Sequence, residues 1–357
     1  MMKTERITEF RKYVSGLLSG GKPDYRMIAG GGTFSEAAPF LQDNEVLFQA
    51  LSSLDEKEKN EPHAASMLSD QDALFERAID YYSEISEAFK EKGLRFFAMK
   101  SFRSYSYADE DLDMVLVDPE RREECIETLE ELGFEFLWNR SILREPYKRF
   151  YVRKSGEGAP FLPKIHVHFA VSWNGMVFLD ASEIWERMKT LEIRGREVMV
   201  PSPEDEILIM AAHAIGENGY VTIGELLHLK TILRISDKID IGYVVKSAKK
   251  HNWLKGLVSF LLLADSYYKN LTGENLLTGD LGGLTEGLSG AGYDMKGEAP
   301  PYFFPAKALS PVYTDKIAKD VCSGRLLQLP RELFTFGLVI WLFRNKKRTK
   351  FYRNLPL

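Results

Sequence analysis

LRFFAMKSFRSYSYADEDLDMVLVD, residues 94–118, is the stretch that decides the fold. Leu94–Met99 reads as a buried strand, Lys100-Ser101 as a polar turn, and after about ten residues a second strand carries Asp111-Leu112-Asp113. Side chains alternate along a strand, so Asp111 and Asp113 share a face, ~7 Å apart along the chain. Leu112, Met114 and Leu116 occupy the other face, while Val115 and Val117 continue the acidic one. Two like charges on one strand face repel each other and resist desolvation. Spacing alone leaves two readings open: carboxylates neutralised by a divalent metal, or an edge strand with two solvated acids.

Working outward, a helix precedes this stretch. Ser69 with Asp72 resembles a capping box, and Leu74, Phe75, Ala78, Ile79, Tyr82, Ile85, Ala88 and Phe89 form an apolar stripe at helical spacing that Gly93 ends. Asp118-Pro119 opens the next helix, whose inward residues include Cys125, Ile126, Leu129 and Leu132. Strands follow at Phe134–Trp138, Tyr147–Val152 and Lys164–Val171, then a hairpin turning at Asn174-Gly175, a short helix around Ile184 and Trp185, and a hairpin over Leu191–Val200. Asp180, after the first hairpin, is a possible substitute acid.

From Pro201 the period changes to that of helices. Ser202-Pro203-Glu204-Asp205 is a strong helix start, with an N-cap serine, a proline just inside and acids in the first turn. Helices are predicted over Thr222–Leu233, Asp240–Lys249 and Trp253–Lys269. The expected division is an N-terminal helical and irregular region over 1–68, an α/β domain over 69–200, a helical domain over 201–271, a Gly/Pro-rich loop over 272–310, and an apolar helix with a basic tail over 311–357. That order makes an α+β protein, a mixed sheet flanked by helices and followed by an all-α part. The glycines of Ala29–Phe34 lack the Lys-Ser/Thr ending of a phosphate loop and read as a connection, and Asp55–Pro62 reads as a charged linker.

Composition narrows the class. The chain has 357 residues, 45% hydrophobic and 28% charged, with a formal net charge of −5. That balance is ordinary for a globular protein and argues against a globally basic nucleic-acid binder. Cys125 and Cys322 are far apart and in unrelated contexts, so no disulfide framework or cysteine zinc site is expected and a cytoplasmic, reducing setting fits. The first sixteen residues lack the apolar region of a secretory signal, and no apolar run reaches membrane-spanning length.

The run from about residue 90 to 270 resembles the nucleotidyltransferases of the DNA polymerase beta superfamily, and within it the uncharacterised prokaryotic nucleotidyltransferase families. Met99-Lys100-Ser101 matches the family's Gly-Ser turn, Asp111-Leu112-Asp113-Met114-Val115 its acidic strand, and EIWERMKTLEIRGREVMVPSPEDEILIMAAH its hairpin and first C-terminal helix. The resemblance implies transfer of a nucleoside monophosphate from an NTP to an acceptor, with release of pyrophosphate. Asp111 and Asp113 are then catalytic and hold Mg²⁺, a hard ion that takes carboxylate and phosphate oxygens. Ser101, with Lys100 and Arg103 nearby, is then placed to bind the triphosphate.

Two departures stand out. Lys100 replaces the turn glycine, and the third carboxylate of the family is replaced by His166, with His168 on the same face. Imidazole suits other divalent ions better than Mg²⁺, so Mn²⁺ or another metal is an alternative cofactor. Three readings follow for His166 and His168: they complete the metal site, they contact nucleotide or acceptor without metal, or the site has decayed. The runner-up function is a catalytically degenerate nucleotide- or partner-binding protein that keeps the fold. The acceptor is open between RNA, a protein hydroxyl, a sugar and a small molecule. His213 reads as a core histidine, and His63, His228 and His251 as structural or surface residues.

Leu333–Phe343 followed by Arg344, Lys346, Lys347, Arg348, Lys350 and Arg353 is the remaining unusual feature. It reads as a packed terminal helix with a basic solvated end, or as a contact for an anionic membrane surface or RNA over 344–353.

Overall fold

A computed structural model describes residues 4–29, 33–103, 105, 107–137, 147–153, 163–173, 175–235, 239–286, 302–303, 314 and 318. Five helices open the chain: α1 (Thr4–Leu18), α2 (Arg26–Ala29), α3 (Phe34–Asp43), α4 (Leu47–Ser53) and α5 (Glu56–Lys59). Asp55 caps α5 by accepting from the Glu58 amide at 2.8 Å, so the charged run has one turn of helix inside it. The long α6 (Pro62–Glu91) follows. It begins at Pro62 rather than at Ser69, which lies exposed inside it, because Ala64, Met67 and Leu68 extend the apolar stripe backwards onto the core. Proline at the first helical position sacrifices no hydrogen bond.

The α/β part consists of β1 (Phe96–Ala98), β2 (Asp111–Leu116), α7 (Arg122–Glu131), β3 (Phe134–Phe136), β4 (Lys148–Arg153) and β5 (Lys164–His168). These strands form one mixed sheet in the order β1-β2-β5-β4-β3, with β2 and β5 parallel and the other neighbours antiparallel. Two hairpins follow, β6 (Val171–Trp173) with β7 (Met176–Leu179), then β8 (Lys189–Ile193) with β9 (Arg196–Val200), with α8 (Ala181–Trp185) between them. Gly175, and Arg194 with Gly195, take the left-handed backbone that tight hairpin turns require. Asp180 caps α8, accepting from the Ser182 amide at 3.0 Å, and so serves the helix start.

The helical half contains α9 (Pro203–His213), β10 (Tyr220–Val221), α10 (Ile223–Ile235), α11 (Ile241–Lys250), α12 (Leu254–Thr272), α13 (Gly279–Glu286) and β11 (Tyr302–Phe303). Ser202 caps α9 as the sequence predicts, accepting from the Asp205 amide at 3.2 Å. Helix α9 is buried on all sides, and its three N-terminal acids are satisfied inside the protein: Arg187 reaches Glu204 and Asp205, Tyr243 donates to Asp205, and His228 meets Glu206. The 272–310 stretch expected to be loop carries α13 and the short β11, which pairs with β10. The expectations for residues 154–162, for Asn174 and for the tail 344–353 lie outside the described residues. Among those described, no helix is long and apolar enough to cross a membrane.

Strand β2 is buried on both faces. Leu112, Met114 and Leu116 pack with α6 and α7 through Tyr82, Ile85, Phe89, Cys125 and Leu129. Each such large apolar side chain contributes about 1.5–3 kcal/mol when buried. Val115 and Val117, on the acidic face, join a second core that also holds Tyr13 and Leu17 of α1 and Leu257 and Phe260 of α12. The face carrying Asp111 and Asp113 therefore lies on the side of this second core.

Candidate active site

Pairing register assembles the site. Asp113 lies opposite His166, Asp111 opposite Lys164, and on the other side of β5 His168 lies opposite Lys148 and His166 opposite Phe150. Residues directly opposite in a sheet share a face. One sheet face thus carries two aspartates, two histidines and two lysines from three strands.

A further lysine comes from the turn after β1. The Met99 amide donates to the Asp113 carbonyl at 3.0 Å, which holds the turn against β2. Lys100 follows with φ at +64°, a left-handed conformation that glycine adopts freely and a lysine adopts at a cost. Its Nζ reaches Asp113 Oδ2 at 3.2 Å. The next residue, Ser101, is buried; its Oγ accepts from the Asp113 amide at 2.9 Å and donates to the Met99 carbonyl at 3.2 Å. The described residues of this turn do not continue into a helix.

Asp113 is the centre of the network. Its Oδ1 meets His168 Nε2 at 2.8 Å, His166 Nδ1 at 3.3 Å and Lys148 Nζ at 3.6 Å. Burial alone would raise its pKa, but the Lys100 and Lys148 ammonium groups and the two imidazoles hold it well below the usual carboxylate range. His168, fully enclosed, is pushed down to about 4 by burial and by Lys148, despite its bond to Asp113, so it is a neutral partner at ordinary pH. Asp111 behaves in the opposite way: burial raises its pKa, His166 opposes this, and Asp113 and Asp109 add to it. Its Oδ1 is buried without a hydrogen-bond donor in good geometry, although His166 Nε2 lies at 3.3 Å and Lys164 Nζ at 3.7 Å.

Arg103 takes a different direction from its two neighbours. Its guanidinium is buried against Glu45 at 2.9 Å, donates to the Tyr105 hydroxyl at 2.6 Å and stacks on Tyr107 at 3.7 Å from the ring centre. Tyr105 in turn donates to the Gly224 carbonyl at 3.1 Å, so this part of the loop joins α3–α4 to α10.

Lys148 is a member of the site that sequence reasoning missed, and Glu217 stands in the electrostatic field of its lysines. Lys148 could have been found from the alternation of Lys148-Arg149-Phe150 had the β4–β5 pairing been known. Glu217 stands on a π-helical turn, Ala214–Asn218, that continues α9 and ends at Gly219 with φ +73°. Such turns recur at functional sites. His213 Nε2 lies 3.3 Å from Glu217, and its Nδ1 lies 3.6 Å from Glu225 on α10. Glu217 is held well below the ordinary range, since His213, Lys148 and Lys100 outweigh its burial, which brings it within the field of the lysines that serve Asp113.

The protein-family model described as uncharacterised nucleotidyltransferase matches residues 46–269. The chain belongs to this family. Two solved structures are similar: a lincosamide antibiotic adenylyltransferase, LnuA, bound to lincomycin, at 12% identity and TM-score 0.28 over 43% of this chain and 94% of that one; and an antigenic nucleotidyltransferase-like protein from Paracoccidioides brasiliensis, at 13% identity and TM-score 0.32 over 56% and 91%. No curated protein matches. The family is one of nucleotidyl transfer, a chemistry that generally uses divalent metal ions.

The donor types on this face suit such an ion. Two carboxylates supply hard oxygens, Asp111 Oδ1 is a buried acceptor without a good donor, and the imidazoles of His166 and His168 extend the set toward softer ions. Their present arrangement is an ion-pair network. Among the described residues no three His, Cys, Asp or Glu side chains are disposed as a metal cage.

Proposed function

We propose that this nucleotidyltransferase moves a nucleoside monophosphate from an NTP to an acceptor, using Asp111 and Asp113 with a divalent ion, Mg²⁺ or Mn²⁺. The observation that carries the proposal is the convergence on Asp113 of Lys100, Lys148, His166 and His168, which sets ammonium groups for a triphosphate beside carboxylates for a metal. In the reaction, an acceptor oxygen attacks the α-phosphorus, the bond to the bridging oxygen of the β-phosphate breaks, pyrophosphate leaves, and the hydroxyl proton passes to a base or to solvent. A bound divalent ion supplies charge to the phosphate oxygens and lowers the pKa of the acceptor hydroxyl.

The chain's own residues do the rest. Asp111 and Asp113 hold the ion, with His166 and His168 as auxiliary ligands or orienting partners. Lys100 and Lys148 bind phosphate oxygens, while Ser101 fixes the Asp113 backbone and stands at the phosphate turn. The 201–271 helices close over the 69–200 sheet and bind base and acceptor, which we leave as RNA, a protein hydroxyl, a sugar or a small molecule. We place the protein in the cytoplasm from its two unrelated cysteines.

The second reading is a catalytically degenerate nucleotide-binding protein. It is favoured by Ser101 and Arg103, both of which are engaged inside the protein. Incubation with each α-labelled NTP separates the two. Transfer of label with Mg²⁺ or Mn²⁺ supports the enzyme, and nucleotide binding without transfer under any metal supports the second reading.

A further inference from the structure

Each oxygen of Asp113 has a different set of neighbours. Oδ1 is shared by two imidazoles and Lys148, whereas the one contact described for Oδ2 is the Lys100 ammonium at 3.2 Å. A hard divalent ion needs carboxylate lone pairs, and an ammonium at that distance competes for the same ones. The Lys100–Asp113 pair is buried: the Lys100 side chain is 16% exposed and that of Asp113 5%. Lys100, Lys148 and Lys164 all reach the two aspartates, so both carboxylates are already engaged by ammonium groups before any metal arrives. A bare dication must displace an ammonium that is then left buried without its partner, whereas one arriving with a triphosphate brings phosphate oxygens for that ammonium.

We propose that Lys100 is a displaceable counter-ion for Asp113: it occupies the carboxylate in the nucleotide-free protein, and metal and triphosphate arriving together move its ammonium from Asp113 to a phosphate oxygen. This inference rests on the metal reading of Asp111 and Asp113 above and adds an order of events to it, since the site binds the metal–nucleotide complex and discriminates against the bare ion. The flexible four-carbon stem of lysine allows the exchange, as the planar fork of arginine would not. Lys100 stands where the family's turn glycine is expected and holds φ +64°, so its backbone conformation is one in which glycine is relaxed.

The test is Mn²⁺ binding to the nucleotide-free protein, followed by the electron paramagnetic resonance of free Mn²⁺, for wild type, Lys100→Gly, Lys100→Met and Lys148→Met. Lys100→Gly and Lys100→Met are expected to bind Mn²⁺ at least about tenfold more tightly than wild type, and Lys148→Met to change less. Unchanged or weaker binding in both Lys100 variants overturns the proposal, as does an equal gain in Lys148→Met. Repeating the experiment with ATP separates this inference from the reading beneath it, with protein-bound Mn²⁺ and nucleotide read by equilibrium dialysis because ATP itself chelates the free ion. Wild type that takes Mn²⁺ with ATP, beside Lys100 variants that gain nothing without it, removes the counter-ion role alone. Failure of every protein to bind Mn²⁺ even with ATP removes the metal reading as well. Should Lys100→Gly unfold, circular dichroism on adding Mn²⁺ decides: refolding shows the ion taking the lysine's place, and its absence overturns the proposal.

Discussion

The imidazole of His166 bridges the two aspartates of β2, with Nε2 3.3 Å from Asp111 Oδ1 and Nδ1 3.3 Å from Asp113 Oδ1. The parallel β2–β5 ladder sets this, since Asp113 and His166 are directly opposite. Phe150 packs edge-on against the ring, with centroids 4.7 Å apart, and holds its plane. Should His166 ligate the proposed ion, its nitrogen donor would shift the site away from Mg²⁺. His166→Asp, which restores the carboxylate expected of the family, should raise turnover with Mg²⁺ relative to Mn²⁺, by about tenfold in the ratio, judging from the usual effect of changing a ligand's surroundings. Parallel assays with the two ions check it, and an unchanged ratio excludes His166 from the metal's neighbourhood.

Ser101 acts on the same strand through its hydroxyl. Removing it leaves the buried Asp113 amide without its acceptor at 2.9 Å. Ser101→Ala should therefore lose roughly 1–3 kcal/mol of stability in urea unfolding, the usual penalty for a buried donor left unsatisfied. A change within error would mean that water or another group replaces the hydroxyl.

His213 gives the site's helical wall a pH dependence. Burial and Lys100 lower its pKa, but hydrogen bonds to Glu217 and Glu225 more than compensate and raise it above the ordinary histidine value. A raised histidine contributes stability that is fully present below the unfolded-state value of about 6.5 and is lost as pH rises through the folded value. His213→Gln should thus destabilise the protein more at pH 6 than at pH 9. Urea midpoints for both proteins at the two pH values test this, and an equal or larger loss at pH 9 contradicts it.

Cys125 should be chemically silent in the native state. Its thiol is fully buried beneath β2, and burial pushes its pKa up to about 12. Thiolate is the reactive form, so alkylation at pH 8 should spare Cys125 until the protein unfolds. Peptide mapping after iodoacetamide treatment, with and without urea, reads this directly.

The legible part of this molecule is the part governed by short-range rules. The alternation in Asp111–Leu116 gave the acidic strand and its two faces, Ser202-Pro203 gave the start of α9, and the glycines Gly175 and Gly195 mark the two hairpin turns. Ser69 is a good cap in isolation and points to a later start for α6, whereas burial of Ala64 decides the real start at Pro62. Lys148 was missed because its neighbour in space is β5, separated from it by residues 154–163, and the strand order β1-β2-β5-β4-β3 is a long-range property. Glu217 was missed because its direction depends on a π-helical turn, which leaves no periodic mark. Arg103 reads as a phosphate cation by its nearness to Lys100 in sequence, but the left-handed Lys100 turns the chain and Arg103 meets Glu45.

Transfer of label from α-³²P-labelled NTPs to acceptors in a cell extract, with Mg²⁺ or Mn²⁺, for wild type against Asp113→Asn, is the most direct test of the proposed chemistry. Wild type should label an acceptor and release pyrophosphate, and Asp113→Asn should lose this by on the order of 100-fold or more, as expected when a charged group essential to the transition state is neutralised. Labelling that survives in Asp113→Asn, or wild type that binds NTP yet labels nothing with either ion, would contradict the assignment of Asp113 to catalysis.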